Sequence, residues 1–96
     1  MALSGRQRKH LRGLAHRLEP VVHVGHHGVT DAVVAAVNEQ LTAHELIKVR
    51  LHEPEDKKGM ADDLATRTGA DPCGLVGHTV ILYRRHPDHP RIVVPA

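Results

Sequence analysis

The sequence predicts a single α/β domain in which helices alternate with the strands of one mixed sheet. Its 96 residues suit one domain rather than two. Three segments show helical spacing of apolar residues, and four short runs are rich in β-branched residues. Their order is α-β-α-β-α-β-β. Because β-α-β crossovers pair strands in parallel and a closing hairpin reverses direction, we expect a four-stranded mixed sheet in an α+β two-layer arrangement spanning residues 1–96.

The first helix is predicted to begin at a Ser4 cap and to reach about His16. Its core-facing residues follow the spacing i, i+3, i+4, i+7 and are Leu11, Leu14, Ala15 and Leu18. The opposite side carries bases without an acidic partner four residues away, namely Arg6, Lys9, Arg12 and Arg17. A face of one charge sign is consistent either with simple solvation or with an anionic partner.

The second helix is predicted from a Thr30 cap to about Ala43, and the third from residues 54–56, with proline and acids in its first turn, to a stop at Gly69. Strands are expected at 21–24, 46–51, 73–77 and 79–84. In the second strand, Ile47, Val49 and Leu51 should face the core and Lys48 and Arg50 should face outward. The proline-containing tail around residues 92–94 is at best an edge segment.

The stretch from Gly25 to Asp31, with the sequence GHHGVTD, is the most informative part of the chain. Two glycines permit a tight turn, and the start of the second helix adds free N–H donors and the positive end of the helix dipole. These features suit a bound phosphate, and KH modules hold RNA with a loop of this Gly-x-x-Gly type. The motif alone is weak, because it also occurs in ordinary turns.

Composition excludes some classes of function. The chain has no Trp, no Phe and only one Tyr, Tyr83, which disfavours an RNA-binding platform of stacked aromatics. The net charge is only +2, but residues 1–18 are basic and residues 51–71 are acidic. A single cysteine, Cys73, cannot form an intramolecular disulfide. With no apolar run near the ~20 residues of a membrane span, we expect a soluble cytoplasmic protein without a membrane partner.

Four segments in order resemble the YhbY-like family, the bacterial single-domain form of the CRM domain: residues 3–16, 20–30, 44–50 and 77–84. The resemblance implies an RNA-binding protein that associates with precursors of the large ribosomal subunit during assembly. It also implies a fold similar to the C-terminal domain of the third bacterial translation initiation factor. The chain departs from the family at His26 and His27, where small, polar or basic residues are common, and at His78, where the family often has Lys.

The resulting candidate RNA-binding residues are those of the loop and the basic positions: Gly25, His26, His27, Gly28, Thr30, Arg6, Lys9, Arg12, Arg17, Lys48, Arg84 and Arg85. Lys48 is the weaker assignment, and Arg84 and Arg85 form a candidate second edge. Because phosphate favours protonated imidazole, His26 and His27 predict binding that strengthens as the pH falls.

Two other classes of function remain open at this point. Clustered histidines, including His23, His26 and His27 and the pair His86 and His89, suggest a metal site or a hydrolase. However, the chain lacks the HExxH and CxxC patterns and offers only Asp31 and Asp88 as nearby carboxylates. A protein-interaction module is the other alternative, because a basic helix can dock on an acidic protein. RNA binding is preferred, with no catalytic residue, metal, cofactor or small-molecule substrate expected.

Overall fold

The computed structural model describes residues 3–96, which contain the three helices and four strands expected, in the order expected. The sheet order is β1-β2-β4-β3, with β1 parallel to β2 and the other two pairs antiparallel, which confirms the mixed sheet. The elements are α1 (Gly5–Ala15), β1 (Pro20–Val24), α2 (Asp31–His44), β2 (Leu46–Leu51), α3 (Lys57–Thr68), β3 (Asp71–Val76) and β4 (Thr79–Tyr83).

The helix ends follow from side chains that satisfy free backbone groups. Ser4 and Gln7 form a reciprocal capping box at α1, and the Thr30 hydroxyl accepts the Val33 N–H at 3.2 Å. The predicted start of α3 is wrong by about three residues. Asp56 lies outside that helix and caps it, accepting the Gly59 N–H at 3.0 Å, and a capping residue must keep a non-helical backbone. Gly69 ends α3 with a φ of 66°.

The main hydrophobic core lies between α2, α3 and one face of the sheet. The predicted alternation in β2 is confirmed, because Ile47, Val49 and Leu51 are buried on this face. They pack with residues from the other strands and from both helices, namely Val22, Val24, Val37, Leu41, Ala61, Leu64, Ala65, Val80 and Leu82.

A smaller core on the other face of the sheet corrects the two-layer expectation. Here Leu11 and Ala15 of α1, together with Leu3, are buried. They pack against the strand side chains that point away from the main core: Leu46, Cys73, Ile81 and Tyr83. The sheet therefore has helices on both faces, and α1 forms a partial third layer. The physical reason lies in the strands, whose side chains are apolar in both directions near α1.

The predicted apolar stripe of α1 is only half buried. Leu11 and Ala15 are fully enclosed, but Leu14 and Leu18 are 45% and 38% exposed. Because α1 packs chiefly on β3, the flank that carries these two leucines faces the side of β1, an edge strand. The helical spacing correctly predicts which side of α1 faces the sheet. The prediction that all four apolar residues on that side are buried is wrong, because two of them are exposed.

Glu45 anchors the C-terminal tail to the turn between α2 and β2. This residue has a φ of 65° and is 2% exposed. Its carboxylate accepts the backbone N–H groups of His86, Arg91 and Ile92 at 2.8, 2.7 and 3.0 Å. Burial alone would raise the pKa of Glu45, but these hydrogen bonds and the charge of Arg91 lower it below its ordinary value.

The tail is consequently ordered without forming a strand. Ile92 and Val94 pack against the smaller core, so the edge segment expected there is a docked coil. The edge strand on this side of the sheet is instead β3, which begins at Asp71 and accommodates Pro72 beside a register irregularity. None of the helices within residues 3–96 has the length and apolar character needed to cross a bilayer.

Candidate nucleic-acid interface

The loop from Gly25 to Gly28, here called the GxxG loop, is a tight turn at the end of β1. The Gly28 N–H donates to the Gly25 carbonyl at 3.0 Å, and the Thr30 N–H donates to the Gly28 carbonyl at 3.1 Å. Gly28 has a φ of +76°, which explains the need for glycine there. A Cβ built on either glycine would meet no atom within 4 Å, so both face open space.

These bonds decide which loop groups are available to a phosphate. The N–H groups of Gly28 and Thr30 already donate to carbonyls inside the turn, so they are not free to bind a phosphate. Within residues 3–96, the N–H groups of His26 and His27 make no hydrogen bond to the protein. The first turn of α2 adds further free N–H donors nearby.

The two loop histidines are exposed and lie against each other, with ring centroids 4.1 Å apart. The residues that follow them are held by Arg67 of α3. Its guanidinium donates to the Val29 carbonyl at 2.8 Å and to an Asp31 carboxylate oxygen at 2.7 Å. Arg67 therefore fixes the connection between the GxxG loop and α2 and neutralises the nearest acid.

A second polar surface lies between α1 and the part of the sheet that α1 leaves uncovered. This surface, here called the basic groove, encloses about 820 Å³. Its two cationic residues from β2 are Lys48 and Arg50, which point to the same side as α1. Its lining includes one acidic side chain, Glu19, and five basic ones: Lys9, Arg12, His16, Lys48 and Arg50.

Two of these side chains also stabilise the fold. The Arg12 guanidinium donates to the Cys73 carbonyl at 2.8 Å, and its stem crosses Gly74, where a Cβ would lie 2.6 Å from the Arg12 Cδ. The Lys48 ammonium donates to the Leu18 carbonyl at 3.0 Å, beyond the end of α1. Both cations are therefore held in place at the groove wall before any ligand arrives.

Histidines connect the basic groove to the GxxG loop. In the parallel β1–β2 register His23 is the partner of Arg50, and His23 lies two residues before Gly25. The His23 Nδ1 lies 2.9 Å from the His52 Nε2, and one of these nitrogens must donate while the other accepts. Arg50, His23 and His52 thus continue the polar surface from the groove to the loop.

The remaining candidate RNA-binding arginines lie outside the basic groove. Arg84 is committed to the protein interior: its guanidinium donates to Asn38 Oδ1, the Thr68 carbonyl, the Asn38 carbonyl and Thr42 Oγ1 at 2.7–3.1 Å. Arg85 is exposed, and both arginines line one cavity beside the tail, separate from the basic groove. Arg6 and Arg17 are exposed but do not line the basic groove.

Residues 3–96 bring no three His, Cys, Asp or Glu side chains close enough to hold a metal ion. His86 has a local role in the tail, because its Nδ1 accepts the backbone N–H groups of Asp88 and His89 at 3.1 and 2.9 Å. The Cys73 thiol is buried, and burial raises its pKa to about 11. The predicted histidine cluster is split, since His23 pairs with His52 rather than with the loop histidines.

Sequence reasoning did not single out Arg50, His52 or Arg67 as site residues. For Arg50 a signal was present, because strand alternation placed it outward beside Lys48. His52 becomes relevant only through its register with β1, and Arg67 only through packing of α3 against α2. Those contacts join residues more than 25 positions apart in the chain.

The fold and this surface define a small α/β domain with a glycine loop and a basic groove on one side of its sheet. The model of the CRS1 / YhbY (CRM) domain family matches residues 3–84, and the chain belongs to this family. Membership confirms the resemblance drawn from the four sequence segments.

Individual relatives cover nearly the whole chain. It is 35% identical over 95 residues to the "Probable RNA-binding protein YqeI" of Bacillus subtilis, covering 97% of this chain and 99% of the relative. It is 35% identical over 89 residues to the "Probable RNA-binding protein PA4753" of Pseudomonas aeruginosa, covering 91% and 86%. The solution structure of SAV1595 from Staphylococcus aureus, provisionally described as RNA-binding, superposes with a TM-score of 0.85 at 29% identity, covering 97% and 99%.

Proposed function

We propose that this protein binds the phosphate backbone of RNA along the basic groove and the GxxG loop. The observation that carries the proposal is the continuity of the surface, from Lys9 and Arg12 across Lys48 and Arg50 to the loop. The names of its relatives as RNA-binding proteins support the same partner. Catalysis has no part in this proposal, because phosphate binding accounts for the loop and the groove together.

The chemistry divides between charge and hydrogen bonding. Lys9, Arg12, Lys48 and Arg50 supply permanent positive charge, and the free N–H groups of the GxxG loop supply directed donors. Contacts of this kind position a backbone without reading its sequence. We propose, from the family resemblance, that the target is RNA of large-subunit precursors and that RNA shape or neighbouring proteins contribute specificity.

Salt dependence tests the groove directly. If about four cations each neutralise one phosphate, the logarithm of the binding constant for a labelled single-stranded RNA should fall with the logarithm of salt concentration with a slope of about −3. Arg50→Gln should reduce the slope by about 0.7. Arg85→Gln removes the same charge away from the groove and should leave the slope unchanged. The proposal would be refuted if the two variants changed the slope equally, or if wild-type affinity did not depend on salt concentration.

A substitution at Gly28 tests the loop. Gly28→Asp places a negative charge and a Cβ in open space beside the loop, so it should abolish RNA binding while circular dichroism still shows a folded domain. Gly28→Asn adds an uncharged side chain of the same shape at the same positive φ, so it is the matched control and should bind clearly more tightly than Gly28→Asp. If Gly28→Asp binds RNA as tightly as wild type, the loop is not part of the interface.

A titration of RNA binding at several pH values tests the loop histidines. At constant salt, affinity should rise as the pH falls from 8 to 6, and the double variant with His26→Ala and His27→Ala should lose most of that rise. His23→Ala, which breaks the neighbouring pair with His52, separates any contribution from that pair. A flat wild-type profile contradicts a role for imidazole charge.

Crosslinking in cells, followed by sequencing of the attached RNA, tests the target. The expected result is enrichment of large-subunit ribosomal RNA that still carries precursor sequences. Enrichment of unrelated transcripts would refute the target while leaving the RNA-backbone proposal intact.

A further inference from the structure

An apolar cavity lies on the other flank of α1 from the basic groove. This cavity, here called the apolar slot, encloses about 470 Å³. Its walls come from α1 and the residues after it, the end of α2, β1, β2 and the tail. Two of the lining residues are Glu19 and His44, and the other six are aliphatic: Leu14, Leu18, Val21, Leu46, Ile47 and Ile92. Of the five exposed large apolar side chains in residues 3–96, three lie here. Apolar exposure is therefore concentrated at one place.

The apolar slot and the basic groove meet at Leu18 and Glu19, which line both. Because the two cavities share this border, a nucleotide whose phosphate lies at that end of the groove can place its base in the slot. A single-stranded base that is turned away from its neighbours needs an apolar surface to replace its stacking. Tyr83, the only Tyr in a chain without Trp or Phe, is 5% exposed, so the aromatic ring that the slot itself offers is the exposed imidazole of His44.

Glu19 indicates which base edge the slot would accept. Its side chain is exposed and, within residues 3–96, makes no hydrogen bond or salt bridge. A carboxylate at the border of a phosphate-binding groove repels the backbone unless donors on the ligand satisfy it. A carboxylate can only accept hydrogen bonds, and the Watson–Crick edge of guanine presents two adjacent donors, N1–H and the N2 amino group.

We propose that the apolar slot binds one unstacked guanine base, held by Leu14, Leu18 and Val21, with Glu19 accepting the N–H groups of its edge. The proposal rests on RNA binding by the neighbouring groove and adds a source of sequence preference to a surface that otherwise contacts only phosphate. An apolar side chain of a protein partner is the competing occupant, and the experiment distinguishes the two.

The test compares three labelled oligouridines that differ at one central position, which is guanosine, adenosine or an abasic site. Wild type should bind the guanosine oligomer about five to ten times more tightly than the abasic one. Leu14→Gln keeps a good helix former at an exposed position and should reduce that ratio to below about two, without changing affinity for the abasic oligomer. Val93→Gln changes an apolar side chain that is 82% exposed and lies outside the slot, so it is the matched control.

Glu19→Gln provides a second test, because it should raise overall RNA affinity and lower the preference for guanosine. Loss of the negative charge should strengthen binding of the abasic oligomer, while the preference for guanosine over adenosine should fall to below about twofold. Circular dichroism confirms that each variant is folded.

Equal wild-type affinity for the guanosine and abasic oligomers would overturn the slot as a base site, as would an equal loss for both in Leu14→Gln. Either result would favour a protein side chain as the occupant. Failure of wild type to bind any of the three oligomers would instead refute the proposed function itself.

Discussion

Replacement of Glu45 should destabilise the domain more than replacement of any exposed acid. The carboxylate accepts three backbone N–H groups from the tail, and the residue is almost completely buried. Hydrogen bonds to a charged group contribute about 1.5–3 kcal/mol each, and water can reach part of the tail once the carboxylate is gone. We therefore expect Glu45→Ala to cost about 3–5 kcal/mol, out of a total stability of roughly 5–15 kcal/mol for a domain of this kind.

Two further substitutions separate the causes of that loss. Glu45 has a positive φ, so Glu45→Gly relieves backbone strain while removing the same carboxylate and should be about 1 kcal/mol more stable than Glu45→Ala. Glu45→Gln keeps the shape of the side chain but removes its charge. Urea titrations followed by far-ultraviolet circular dichroism give the free energy of unfolding for each variant.

The pH dependence gives the decisive comparison. Because the pKa of Glu45 is lower in the folded protein than in the unfolded chain, its stabilisation is complete above the ordinary carboxyl pKa and is lost as the pH falls through the folded value. The difference in stability between wild type and Glu45→Gln should therefore be largest at pH 6–7 and shrink below about pH 4. A difference that stays constant with pH, or Glu45→Ala at wild-type stability, would refute the reasoning.

Two other predictions concern Arg84 and Cys73. Arg84→Lys retains the charge but cannot reach all four acceptors, so it should lower the free energy of unfolding by about 2 kcal/mol and leave RNA affinity unchanged under folding conditions; weakened RNA binding at full stability would contradict its structural role. Cys73, buried and with its pKa raised to about 11, should not react with a thiol reagent until urea unfolds the domain; rapid reaction of the native protein would contradict its burial.

Features set by neighbouring residues were predictable from the sequence. Ser4, Thr30 and Gly69 have the residue types that begin or end helices, and the structure places them in those roles. The alternation in β2 and the hairpin between β3 and β4 are likewise local patterns. These features depend on contacts within a few positions along the chain, where residue type determines conformation.

Features set by distant contacts were not predictable in the same way. A charged Glu45 after a helix is typical of a surface position, and its burial depends on a tail more than 40 residues away. The exposure of Leu14 and Leu18 depends on which strand α1 packs against. Arg84 is an intermediate case, since it lies two residues after Leu82 and strand alternation places it on the side of the main core.

In the GxxG loop, one residue determines the backbone conformation and two others supply the exposed side chains. Gly28 holds the turn through its positive φ, whereas the side chains of His26 and His27 are exposed and lie against each other. Substitutions at these two positions can therefore accumulate during evolution at little cost in stability. The loop can change its preference for ionic conditions or ligands while the rest of the domain stays constant, which gives the scaffold a site for functional divergence.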